Sequence, residues 1–85
     1  MSELKWHPDA LRDVGRLYDF LAPASPAAAR RAATVIVEAA DKIAAIPGIG
    51  TRCAEFREWR AKLRNSAYIL RYCVLPEGDI LITRV

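Results

Sequence analysis

The sequence predicts an α+β domain: a helix hairpin near the N-terminus, packed on one face of an antiparallel sheet of about four strands, in the order β-α-α-β-β-β. Three observations lead there. Apolar residues recur at helical spacing through residues 8–22 and again through 26–46. From Glu58 onward the spacing changes to a period of two. Pro23, Pro47 and Pro76 separate the segments. The 85 residues are read as a single domain, 1–85.

Leu4-Lys5-Trp6 is a short strand before a turn. Pro8 suits the first helical position, where its missing N–H would have no partner anyway. Asp9 and Asp13 place negative charge near the positive end of the helix dipole. Ala10, Val14, Leu17, Tyr18 and Leu21 form the apolar stripe of this first helix, which runs to about Ala22. Ser25-Pro26 is a capping residue followed by a good first residue, and opens a second helix. Its stripe is Ala29, Ala32, Ala33, Ile36, Ala40 and Ile43. The small side chains let two backbones approach closely, and the short loop makes the helices antiparallel neighbours.

Pro47 and Gly48 end the second helix and start an irregular segment through Thr51. Trp59, Ala61 and Leu63 then alternate with Glu58, Arg60 and Lys62, so one face of this strand is apolar and the other charged. Arg64-Asn65-Ser66 is a turn. Ala67 to Leu75 is rich in strand formers and apolar on both faces, which predicts the central strand. Pro76-Glu77-Gly78-Asp79 is a hairpin turn, and Ile80 to Val85 returns as the last strand.

Hydrophobic residues make up 53% of the chain, too many for a disordered segment. No apolar run approaches the roughly 20 residues of a spanning helix, and residues 1–8 do not read as a signal peptide. A cytoplasmic protein is therefore expected. Cys53 and Cys73 have neither zinc spacing nor a CxxC pattern, and fit two reduced thiols. Net charge is +3. Residues 1–46 balance six Lys/Arg against six Asp/Glu, whereas residues 47–85 hold seven against four. The excess lies on Arg57, Arg60, Lys62, Arg64 and Arg71, a local field that attracts an acidic protein segment or nucleic acid.

Catalytic groups are scarce. His7, the single histidine, precedes Pro8 and is read as opening the helix rather than as a general base. Gly48-Ile49-Gly50 follows a helix, not a strand, which argues against a phosphate loop. No metal ligands form a set, and no cofactor is expected. Two features remain: the arginines of the strand pair, which in a nuclease without histidine would act by charge alone, and Trp59, Tyr68 and Tyr72 among them. Aromatics beside arginine are common interface anchors as well as common core. Arg57, Trp59, Arg60, Lys62, Arg64 and Arg71 are the candidate binding residues, and none is assigned a catalytic role.

In order along the chain, several pieces resemble one family: Trp6 with Ala10-Leu11-Arg12-Asp13; Tyr18-Asp19-Phe20-Leu21; Ser25-Pro26-Ala27-Ala28-Ala29-Arg30; Ile46-Pro47 with Gly50; Phe56-Arg57-Glu58-Trp59; Ala67-Tyr68-Ile69-Leu70-Arg71-Tyr72; and Ile80-Leu81-Ile82-Thr83-Arg84-Val85. Together they resemble the ParE branch of the RelE/ParE toxin superfamily. That resemblance implies a helix hairpin on an antiparallel sheet and a toxin of a type II toxin–antitoxin system. It implies a cognate ParD-like antitoxin, acidic and of the ribbon-helix-helix type, and inhibition of DNA gyrase without enzymatic activity, direct DNA binding or membrane association. The RelE branch offers an alternative, a ribosome-dependent mRNA endonuclease with Arg57, Lys62 and Arg71 as charge stabilisers. Family members often carry a basic or His-containing tail past the Arg-Val of the last strand, and nothing follows Val85 here. The expectation is that cleavage is lost with the tail, and a third reading is a non-toxic protein that only binds antitoxin.

Overall fold

The computed structural model describes residues 3–85. Strand β1 is Leu4–Trp6, helix α1 Pro8–Leu21 and helix α2 Pro26–Ala45. A single 3-10 turn, Pro47–Ile49, leads into β2 (Thr51–Cys53), β3 (Phe56–Leu63), β4 (Ser66–Val74) and β5 (Ile80–Arg84).

Both helices start as their sequences require. His7 caps α1: its Nδ1 accepts from the Asp9 backbone N–H at 3.0 Å, and Pro8 follows. Ser25 caps α2, its Oγ accepting from the Ala28 N–H at 3.1 Å. Helix α2 buries Ala29, Ala32, Ile36, Ala39, Ala40 and Ile43, so the predicted stripe is its packing face, with Ala33 at the margin. Helix α1 buries only Ala10 and Asp13; Val14, Leu17 and Leu21 are half-buried and Tyr18 is exposed. The helices meet Ala61, Leu70, Tyr72, Ile80 and Ile82 of the sheet in one core.

The sheet departs from expectation in two ways. It has five strands where about four were expected, in the order β1-β5-β4-β3-β2. It is also mixed, because β1 lies parallel to β5, Leu4 beside Ile80 and Trp6 beside Ile82. The fifth strand is β2, in the segment expected to be irregular. Three residues are too few to show a period, and β2 exists by pairing: Thr51 with Glu58, Arg52 with Arg57, Cys53 with Phe56. Ala54 turns this hairpin with φ 51°, and Arg64 turns the next with φ 55°. Strand β4 is central, as predicted, but helices cover only one of its faces. Leu70 and Tyr72 are buried while Ile69, pointing the other way, stays 46% exposed.

One buried acid ties the first helix to the last strand. Asp13 accepts from Arg84 Nε at 2.7 Å, from Arg84 Nη2 at 3.1 Å and from the Val85 N–H at 3.0 Å. Its side chain is 6% exposed. The Arg84 guanidinium first, then the Val85 N–H, lower its carboxyl from 3.8 to about 2. Asp79 is lowered in the same direction, by the Glu3 N–H and then Lys5. A depressed carboxyl stabilises the fold above its unfolded pKa, and that contribution is lost as pH falls through the folded one. Stability should therefore decline between pH 3.8 and about 2. Asp13→Asn should flatten much of that slope in acid-titrated urea melts, and cost about 1–3 kcal/mol at neutral pH through its weakened hydrogen bonds. An unchanged slope would remove Asp13 from this role.

Candidate partner-binding surfaces

The sheet divides the predicted binding residues between its two faces. Strand register places Arg57 opposite Tyr72 and Trp59 opposite Leu70, on the helix side. Glu58, Arg60 and Lys62, with Ile69 and Arg71 of β4, point to the open side. Arg57 Nη1 donates to the Gly50 carbonyl at 2.9 Å. Trp59 packs against the core, with Lys42 Nζ 5.5 Å from its ring centroid. Arg60 and Lys62 are exposed. Arg71 lies over the Phe56 ring at 4.0 Å and reaches Glu58 Oε2 at 3.4 Å. Arg64 occupies the β3–β4 turn. The expected single basic patch is thus two unequal sets, because a period of two sends Arg57 and Arg60 to opposite faces.

Gly50 and Tyr72 set the position of Arg57. The buried Tyr72 hydroxyl donates to the Pro47 carbonyl at 2.7 Å and accepts from the Gly50 N–H at 3.0 Å. A Cβ on Gly50 would stand 2.6 Å from that hydroxyl and 2.8 Å from the Glu58 carbonyl. Gly50 is therefore a close-approach glycine rather than a flexible one.

A more apolar feature lies elsewhere. A groove of about 520 Å³ runs along the helix hairpin beside β1, lined by Leu4, Trp6, Leu11, Val14, Tyr18 and Val37. Leu11 is 56% exposed and Val37 49%. Gly15 lies in the groove, and a Cβ there would touch nothing within 4 Å. Asp19 and Asp41 stand at its rim. None of these residues was among the binding candidates. Their signal was nevertheless present: Leu11 and Val37 are apolar at positions outside the two core stripes, and Gly15 interrupts a helix at a cost of about 1 kcal/mol relative to alanine.

No group of His, Cys, Asp and Glu among the described residues is placed to hold a metal ion. Cys53 and Cys73 are free thiols. No helix among the described residues is long and apolar enough to cross a membrane.

The family model described as the ParE toxin of the type II toxin–antitoxin system parDE matches residues 4–85, and the chain belongs to that family. Among solved structures it is similar to a chain of the chromosomal ParDE TA system from P. aeruginosa, at 26% identity and a TM-score of 0.75. That likeness covers 99% of this chain and 92% of the other. No curated protein is a significant match.

Proposed function

We propose that this toxin acts in the cytoplasm on DNA gyrase, and that a ParD-like antitoxin holds it inactive by laying an apolar-striped segment along the α1–α2 groove. The exposed groove carries the antitoxin part of this reading. An amphipathic helix presents side chains at the spacing such a groove accepts. The rim acids Asp19 and Asp41 favour Lys or Arg beside that stripe, while an acidic stretch further along the antitoxin suits Arg60 and Lys62 on the open face. Gyrase follows from family membership alone.

Action by binding rather than by RNA cleavage is part of the proposal. Attack by a 2′-hydroxyl needs a proton acceptor, a proton donor and cations on the phosphate. Cations face the open side, but Tyr72 has its hydroxyl committed to Pro47 and Gly50 on the other side. Tyr68 also points to the helix side, and His7 caps α1. Lys62 is exposed on the open face, away from both tyrosines. Induction should stop DNA synthesis while translation continues, and the purified chain should inhibit supercoiling by gyrase. Discrete new 5′ ends in ribosome-bound mRNA, lost in Lys62→Ala or Arg71→Ala, would replace this reading with the endonuclease.

A further inference from the structure

We infer that the β2–β3 end of the sheet is a binding site for a phosphate-type oxyanion, held between Arg52 and Arg57. The two arginines are direct cross-strand partners, so both side chains leave the sheet on the same face. Like charges placed directly opposite destabilise a strand pair. Neither arginine has a carboxylate within ion-pairing distance among the described residues. Each guanidinium carries five N–H donors. Arg57 spends one on the Gly50 carbonyl, which fixes its position, and the others remain free.

The two arginines line a cavity of about 270 Å³, together with Phe56, Val74 and the β2–β3 turn. Glu55, on that turn, also lines it; it pairs with neither arginine and limits affinity without closing the site. Two arginines lining one cavity offer a tetrahedral dianion more N–H donors than a single carboxylate or a chloride can use. An anion bound between them would offset the repulsion of two like charges placed directly opposite. The site is independent of the helix groove and of Arg60 and Lys62, which lie on other surfaces.

The test is a titration of the full chain with millimolar inorganic phosphate at fixed ionic strength, followed by 31P line broadening and by melting temperature. Phosphate should bind and raise the melting temperature, while equal acetate or chloride should not. Arg52→Gln should weaken binding about tenfold or more. It should also melt no lower than the parent in phosphate-free buffer. Arg57→Gln should weaken binding as well. If it unfolds through loss of the Gly50 contact, Arg52→Gln still decides the matter, since Arg52 has no such contact. The Arg60→Gln/Lys62→Gln double variant should bind phosphate like the parent. A parallel titration with AMP separates the sources: tighter binding than phosphate points to a phosphate ester, equal or weaker binding to the free ion. No binding by the parent, unchanged binding in Arg52→Gln, or an equal loss in the double variant would overturn the site.

Discussion

Tyr72→Ala should leave the protein largely unfolded at growth temperature. Tyr72 is fully buried, and removing such a ring costs about 3–5 kcal/mol. A domain of this length has only about 5 kcal/mol to lose, or a little more. Smaller changes separate the ring from its hydroxyl. Tyr72→Phe keeps the packing but strands the Gly50 N–H and the Pro47 carbonyl, at a cost of about 1–3 kcal/mol. Gly50→Ala forces a methyl group against the same hydroxyl and against the Glu58 backbone, and should cost at least about 1–3 kcal/mol. Urea unfolding curves give all three values. A parent-like midpoint for Gly50→Ala would mean that the turn and Tyr72 do not pack as described.

The groove makes a prediction in which stability and binding move in opposite directions. Gly15→Leu places a side chain in open space within the groove. Replacing a mid-helix glycine with a good helix former should stabilise the fold by about 0.5–1 kcal/mol. The same side chain should obstruct the antitoxin and weaken binding by about thirtyfold or more, the effect of losing one hot spot. Leu11→Glu should weaken binding to a similar extent with little change in melting temperature, since Leu11 is already exposed. Binding is measured by calorimetry against the cognate antitoxin. If Gly15→Leu binds like the parent, the antitoxin does not use this groove.

The helices and the three longer strands were legible in the sequence because each signals itself locally. Ser25-Pro26 marks a helix start whatever surrounds it, and Trp59-Arg60-Ala61-Lys62-Leu63 shows its two faces by alternation. Strand β2 was not legible, because Thr51-Arg52-Cys53 is a strand only through its partner β3. The parallel placement of β1 escaped for the same reason: it depends on residues nearly the whole chain away. Arg57 and Arg60 look alike in composition, and only the register divides them. Apolar residues say that they want cover, not what covers them. Leu11 and Val37 therefore stand out as apolar residues off the two stripes, without the sequence showing what surface they share.

The parallel pairing of β1 with β5 also bears on when the toxin takes shape during synthesis. Among the described strands, β1 pairs only with β5. The His7 N–H bonds the Ile82 carbonyl, and Asp13 meets Arg84 across 71 positions of sequence. While the ribosome still holds residues 80–85, β1 lacks its strand partner and Asp13 has no arginine from β5. Leu4 and Trp6 form one wall of the helix groove, so the groove too is unfinished until then. On the proposed docking mode, a nascent chain therefore offers the antitoxin no complete surface until β5 has emerged.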